Sequence, residues 1–141
     1  MYKDILLPID LNDEGSWQKA LPVALNFVRA STGTLHVLSV VPDFGMSIVG
    51  QFFPEGYEKK VGEKVLASLK EFVKNHIPDD IQTHHIIGEG KVYKVILNMA
   101  EKIDADMVVV SSGRDDLKDF LLGPNAARVV RHANCSVMVV R

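Results

Sequence analysis

The sequence is short of several features that would point to particular classes of protein. Cys135 is the single cysteine among 141 residues, so the chain cannot form an internal disulfide and suits a reducing compartment. No apolar run approaches the roughly 20 residues of a membrane span, and the N-terminus does not have the layout of a signal peptide. The net charge is −2, with no long basic run, which argues against nucleic-acid binding. These absences predict a cytoplasmic protein with neither a nucleic-acid nor a membrane partner.

The residue types that commonly carry catalysis or metal binding form no recognisable motif. His84 and His85 are adjacent in a predicted strand, so they point to opposite faces and cannot chelate one metal in regular geometry. The other three histidines are scattered along the chain. Neither a G-x-S-x-G elbow nor a P-loop is present, and Cys135 begins an apolar strand, where it is expected to be a small hydrophobic side chain. We therefore predict no protein metal site and no catalytic residue.

What the chain does contain is an alternation of apolar strand patterns and amphipathic helix patterns. Its length fits one domain over residues 1–141. A continuous apolar run at 5–9 is typical of a strand buried on both faces, and further strand patterns occur at 35–41, 81–87, 107–110 and 137–140. The order of elements predicts an α/β fold, with an open parallel five-stranded sheet and helices on both of its faces.

Helical spacing of apolar residues predicts four helices between these strands. They cover about 14–30, 54–75 and 92–103, and a short one carries Val129 and Val130. Pro22 either kinks the first helix or falls within its first turns. Residues 44–54 are too apolar for a simple linker, and we interpret them as a flap or part of a partner surface.

The ends of the strands are the expected place for a ligand. In open parallel sheets ligands bind beyond the carboxyl ends, where the strand order reverses. Asp10 follows the first strand, where its carboxylate suits a ribose hydroxyl; it could equally cap the first helix, or do both. Val40, at the end of the second strand, could present backbone groups to the edge of a base. Residues 88–91 and 111–114 follow the third and fourth strands.

Two further stretches favour a phosphate group at the same edge. Small and polar residues at the end of the fourth strand would let an anion approach the backbone, and a helix start offers unpaired N–H groups and a positive dipole end. These residues are Ser111, Ser112, Gly113 and Arg114, followed by Gly123, Pro124 and Asn125. With Asp10 and Val40 they would make a nucleotide site. Simpler interpretations stay open, namely a surface turn, a solvated loop and a loop glycine.

Motifs at both ends of the chain resemble one known family. The segments are KDILLPID at residues 3–10, LLGPNAARVVRHA at 121–133 and CSVMVV at 135–140. They resemble the universal stress protein (UspA-like) family, and the small F/G-type bacterial members most of all. The likeness covers the whole chain. It implies a doubly wound, Rossmann-like sheet of the adenine nucleotide alpha-hydrolase type, with strand order 3-2-1-4-5.

The nucleotide-binding branch of that family carries a motif G-x2-G-x9-G-[ST], which is degenerate here. Gly113 and Gly123 keep the nine-residue spacing, but Val110 would then stand at the first glycine. Alternatively one residue is deleted and Ser111 takes that place, with Arg114 near the second glycine; we prefer this alignment because Ser111 ends the strand. Pro124 replaces the hydroxyl residue and removes a side-chain donor and a backbone N–H together. Arg114, as a fork-shaped cation, could compensate.

The resemblance implies a site for ATP or AMP and a role in regulating the stress response. Pro8, Ile9, Asp10 and Val40 would hold adenine and ribose. The phosphates, which Mg²⁺ could bridge, would be surrounded by Val110, Ser111, Ser112, Gly113, Arg114, Gly123, Pro124 and Asn125. Two alternatives remain, a dimeric interaction module whose nucleotide site is inactive and a slow ATPase. Little supports the slow ATPase, because the sequence shows no evident base that could activate water.

The last strand is the expected dimer surface. It comprises Ser136, Val137, Met138, Val139 and Val140. In a monomer this apolar strand would be an exposed sheet edge, and such edges are usually paired or blocked. The resemblance also implies a homodimer that pairs its last strands. We therefore expect antiparallel pairing of two copies across a two-fold axis.

Overall fold

The computed structural model of the chain describes residues 2–41, 57–112 and 124–141. In these ranges strands and helices alternate as the sequence predicts. The strands are β1 (Asp4–Ile9), β2 (Thr34–Val41), β3 (Gln82–Glu89), β4 (Met107–Ser111) and β5 (Ser136–Val140), and the helices are α1 (Ala20–Ser31), α2 (Tyr57–His76), α3 (Val92–Lys102) and α4 (Pro124–His132). The segment 44–54 and the predicted site residues Gly113, Arg114 and Gly123 lie outside the described residues.

The five strands form one parallel sheet in the order β3-β2-β1-β4-β5. This confirms the predicted fold and strand order. The chain moves outward from β1 through β2 to β3, then crosses to β4 on the other side of β1 and ends at β5. The order therefore reverses between β1 and β4, which is the position where sheets of this kind bind ligands.

The three central strands of the sheet, β2, β1 and β4, are buried on both faces, and successive residues of a strand serve opposite faces. Ile5, Leu7 and Val109 pack with α1 and α2 on one face. Leu6 and Val108 pack with α3 and α4 on the other. Each fully buried aliphatic side chain contributes about 1.5–3 kcal/mol. Burial on both faces is the reason that these three strands are apolar at nearly every position rather than alternating, whereas the edge strands β3 and β5 are only partly buried.

The first helix begins later than its sequence pattern predicts. Instead of one helix from residue 14, a short 3-10 turn (Glu14–Ser16) precedes α1, which begins at Ala20. The Asp13 side chain accepts a hydrogen bond from the Gly15 N–H and caps the short turn. Pro22 falls in the first turn of α1, where a missing N–H costs little. The predicted position of Pro22 within the first turns is thus confirmed, while the predicted start of the helix is wrong.

The third strand runs two residues beyond its predicted end and includes Gly88 and Glu89. A Cβ atom on Gly88 would collide with a methyl group of Val95, so glycine here lets α3 pack closely on the strand. The chain turns after the strand at Gly90, whose φ of 127° favours glycine.

Candidate functional site

β1 and β4 pair only along their first halves. The register of β1 with β2 extends from Asp4↔Thr34 to Ile9↔Ser39. Its register with β4 is limited to two pairs, Ile5↔Met107 and Leu6↔Val108. Pro8 has no N–H and so cannot support a ladder on both sides of β1. Beyond Leu6 and Val108, β1 and β4 are not paired with each other at the reversal of strand order, although β1 stays paired with β2 and β4 with β5.

The loop that follows β1 is organised by its own polar groups. The Asp10 carboxylate accepts a hydrogen bond from the Asn12 N–H at 2.9 Å, and the Asp10 carbonyl accepts one from the Asp13 N–H at 3.0 Å. Asp13, rather than Asp10, caps the short turn that follows. Asp10 is half-buried at the end of β1, so the helix-cap interpretation is wrong and Asp10 closes a tight local turn instead.

The buried Ser16 side chain stabilises this loop through hydrogen bonds to its main chain. The sequence pattern did not identify Ser16 as a site residue. Its side chain is 1% exposed. The hydroxyl accepts a hydrogen bond from the Asp10 N–H at 2.8 Å and lies 2.7 Å from the Asp13 carbonyl and 3.1 Å from the Asp10 carbonyl, to either of which it can donate its one proton. In the sequence Ser16 is an ordinary polar residue within a predicted helix, and only the folded loop gives it this role.

The end of β4 lies against the same loop. Ser111 is buried, and its hydroxyl donates to the Gly15 carbonyl at 3.0 Å. The Ser112 N–H donates to the Val140 carbonyl at 2.7 Å. Ser111 and Asp10 are thus brought to one edge of the sheet, as predicted. The Ser111 hydroxyl proton and the Ser112 N–H already have acceptors within the protein. A ligand would therefore meet the Ser111 hydroxyl as a hydrogen-bond acceptor.

Three more of the predicted residues, Ile9, Val110 and Val40, lie at the same edge. The side chain of Ile9 belongs to the core beside α1 and that of Val110 to the core beside α4, so only their backbones can meet a ligand. Val40 pairs with Gly88 in the β2–β3 register, and the next carbonyl, that of Val41, accepts from the Gly90 N–H at 3.2 Å. This bond ties the loop after β3 to the end of β2.

The first turns of α3 and α4 carry a further cation at this edge. α4 begins at Pro124, followed by the half-buried Asn125. One turn on, the Arg128 guanidinium lies 4.7 Å from the centre of the Tyr93 ring in a cation–π contact. The sequence offered no signal for this pair, because its members come from different helices.

No metal centre or reactive thiol accompanies the site in the part of the chain that the structure describes. No group of three or more His, Cys, Asp or Glu side chains there is arranged to hold a metal ion. Burial raises the pKa of the Cys135 thiol, which keeps the thiol protonated and weakly nucleophilic. Within the same residues, no helix is long and apolar enough to cross a membrane.

A doubly wound parallel sheet of order 3-2-1-4-5, with polar loops at the reversal of strand order, defines the class of the adenine nucleotide alpha-hydrolase-like α/β proteins. The model of the universal stress protein family matches residues 1–141. The chain belongs to the universal stress protein family, and the resemblance drawn from its two end motifs is confirmed.

Individual relatives agree with this assignment. The chain is 33% identical over 145 residues to universal stress protein G of Salmonella typhimurium, with all of both chains covered. The solved structure of universal stress protein UspA from Lactobacillus plantarum has a TM-score of 0.70 at 22% identity and covers 99% of this chain and 98% of its own. A universal stress protein solved in complex with cAMP has a TM-score of 0.69 at 19% identity, covering 99% and 97%.

Proposed function

We propose that this protein binds an adenine nucleotide, ATP or AMP, at the carboxyl ends of β1 and β4 and acts as a regulator in the stress response. The observation that carries the proposal is that the carboxyl ends of β1 and β4 are not paired with each other at the reversal of strand order, with the turn at Asp10 on one side and Ser111 on the other. A relative of the same fold in complex with cAMP supports an adenine nucleotide as the ligand.

The base and ribose would lie against the end of β1. Asp10 uses Oδ1 for the Asn12 N–H, and its half-buried carboxylate retains acceptor capacity for a ribose hydroxyl. The backbones of Pro8, Ile9 and Val40 would contact the base. Because Ser16 holds the loop through the main chain of Asp10, the acceptor would be in place before the ligand arrives.

The phosphates would lie between the end of β4 and the start of α4. Val110, Ser111 and Ser112 supply the strand end, and Pro124 and Asn125 supply the helix start, whose dipole favours an anion. In the sequence Gly113, Arg114 and Gly123 lie between these two stretches. Arg128, held on Tyr93 one turn into α4, adds a second cation that could offset the donor lost at Pro124. Mg²⁺ would bridge the phosphates without a dedicated protein cage.

The protein would act in the cytoplasm as a homodimer through β5. β5 is an edge of the sheet, and Val139 on it is 38% exposed. An edge with unpaired backbone groups and exposed apolar side chains favours pairing with a second strand. In a dimer two copies of β5 would run antiparallel across a two-fold axis.

The alternative is a dimeric interaction module whose nucleotide site is inactive. Pro124 favours it, because proline at this position removes a side-chain donor and a backbone N–H. A slow ATPase would require time-dependent formation of ADP or AMP that is lost in Asp10→Ala.

The experiment that tests the proposal is to denature the purified protein, identify released nucleotide by mass spectrometry, and titrate the emptied protein with ATP and AMP by calorimetry. We expect released nucleotide or micromolar affinity. Asp10→Ala should weaken binding about tenfold or more, the effect of losing a hydrogen bond to a charged group. Asp79→Ala, an exposed carboxylate between α2 and β3, is the control. No released nucleotide and no heat at millimolar ATP would contradict the proposal.

Ser16→Ala tests the positioning of Asp10 separately. The variant removes the hydroxyl that the Asp10 N–H uses, so we expect ATP affinity to fall several-fold while Asp10 itself is retained. Ser31→Ala removes a hydroxyl that bonds only carbonyls of its own helix and should leave affinity unchanged. Equal affinities in the two variants would show that Ser16 does not shape the site.

A further inference from the structure

Three polar side chains from three neighbouring strands share one face near the amino end of the sheet. His36 on β2 is in register with Leu6 on β1 and with His84 on β3. Since side chains in register point to the same face, His36 and His84 both lie on the face that α3 and α4 cover, as does Asp4, two residues before Leu6. The two imidazole rings are 4.9 Å apart, centre to centre, at an angle of 76°.

His36 has one nitrogen bound and one without a partner. The ring is 5% exposed, and Nε2 lies 3.0 Å from Oδ1 of Asp4. Because a carboxylate can only accept, the ring proton belongs on Nε2, which leaves Nδ1 with a free lone pair in the neutral tautomer. Nδ1 is buried and has no hydrogen-bond partner among the described residues. Buried polar atoms are normally partnered, so this lone pair requires an explanation.

The arrangement is the one that a metal-binding histidine usually has. Such a histidine donates its other ring N–H to a carboxylate, which fixes the tautomer and makes the ligating nitrogen more basic. The ring separation also fits a shared ion. With metal–nitrogen bonds of about 2.1 Å and a tetrahedral angle, the centres of two ligating imidazoles lie roughly 5 Å apart. The observed separation is 4.9 Å.

We propose that Nδ1 of His36 and a ring nitrogen of His84 bind one divalent transition-metal ion of the Zn²⁺ type, with Asp4 positioning His36. Imidazole nitrogen suits this class of ion. His84 is exposed, on the edge strand β3, which gives the ion access from solvent on the His84 side. With two protein donors the ion would exchange readily. The site lies at the opposite end of the sheet from Asp10 and does not depend on nucleotide binding.

The test is a titration of the full chain with Zn²⁺ alone, followed by calorimetry and by nitrogen NMR of the histidine rings. We expect one ion per chain and a shift of the Nδ1 resonance of His36. His84→Ala should lower the affinity at least about tenfold, comparable with the loss when a supporting group is removed. His85→Ala is the matched control, since it changes the next residue of β3 on the opposite face. Asp4→Asn, which keeps an acceptor but removes the charge, should weaken binding about 10–100-fold.

Three results would overturn the proposal. They are unchanged Zn²⁺ affinity in His84→Ala, an unmoved His36 Nδ1 resonance at saturating Zn²⁺, and an equal loss of affinity in His84→Ala and His85→Ala. Because His84 is exposed, its replacement should leave the fold intact, and circular dichroism of each variant checks this directly.

Discussion

The two ends of the sheet use their buried polar groups differently. At the carboxyl end the hydroxyls of Ser16 and Ser111 bond to the main chain of one loop, which follows β1. At the amino end the Asp106 carboxylate joins separate parts of the chain, since its Oδ2 accepts from the N–H groups of Lys3 and Asp4 at 2.9 and 2.8 Å. His36 Nδ1 lies at the amino end as well.

The polar groups at the carboxyl end therefore fix the shape of a loop, whereas those at the amino end contribute to the stability of the fold. Side chains at the carboxyl end hold a loop in one conformation beside the ends of β1 and β4, which are not paired with each other. The Asp106 side chain at the amino end connects the first strand to the segment that leads into β4. It therefore joins residues that are about 100 positions apart in sequence. We therefore expect changes at the amino end to cost folding stability and changes at the carboxyl end to act more on binding.

The largest effect should come from a glycine at the amino end, compared with one at the carboxyl end. A Cβ atom on Gly33 would collide with the backbone oxygen of Lys3, which cannot move without breaking its bond from the Thr34 N–H. Gly33→Ala should lower the free energy of unfolding by about 3 kcal/mol or more, the upper end for overpacking. Gly88→Ala meets mainly a methyl group of Val95, which can rotate, so about 1–2 kcal/mol is expected.

Urea unfolding of the two variants measures this contrast. A smaller loss in Gly33→Ala than in Gly88→Ala would contradict the assignment of rigidity to the amino end.

The second effect concerns the carboxylate of Asp106. Asp106→Ala leaves two backbone N–H groups without their acceptor, so the free energy of unfolding should fall by about 2–3 kcal/mol. Asp106→Asn keeps one acceptor oxygen and should lose about half as much. Chemical denaturation at neutral pH gives both values, with Asp79→Ala as the exposed control. Equal stabilities of Asp106→Ala and the control would show that the link between β1 and the start of β4 is unimportant.

The smallest expected effect is a pH dependence of folding stability that comes from His85, the residue next to His84. Burial first, then the charges of Lys70 and His84, lower the pKa of His85 below its ordinary value of 6.5. The unfolded chain therefore binds more protons than the folded one, and stability falls as the pH drops from just above 6.5 to the lowered pKa. Below that pKa the loss is complete and constant.

His85→Gln should flatten the stability profile in this window, as measured by thermal unfolding between pH 5 and pH 8. His84→Gln should keep most of the slope, because burial and Lys70 still act on His85. An unchanged slope in His85→Gln would place the pH dependence elsewhere.

Sequence patterns predicted most of the fold because the three central strands of the sheet are buried on both faces. The runs that become β1, β2 and β4 need no tertiary information, since apolar residues occupy nearly every position. The start of α1 could not be predicted, because the helical spacing of apolar residues continues through residues 14–19. The short turn that Asp13 caps stops at Trp17, whose φ of −134° is not helical, so α1 is separate from it.

At the candidate site, the position of Asp10 and Ser111 at one edge followed from the order of elements alone. The hydrogen-bond partners of these two residues could not be predicted in this way. The sequence contains no sign that Ser16 receives the Asp10 N–H, or that Ser111 bonds to Gly15, because these contacts depend on how the loop after β1 turns back on itself. Hydrogen bonds of this kind are directional and act within about 3 Å, whereas a sequence pattern reports only which face a residue occupies.

The sequence by itself determined the family, the parallel sheet and the edge at which a ligand would bind, because burial and strand direction follow from residue type and order. Only the tertiary structure decided which polar atoms meet. His36 and His84 are 48 residues apart in the sequence, and His84 was expected to be unable to chelate a metal with His85. The register of β2 with β3 places it beside His36 instead, since adjacent parallel strands align side chains that no local spacing connects.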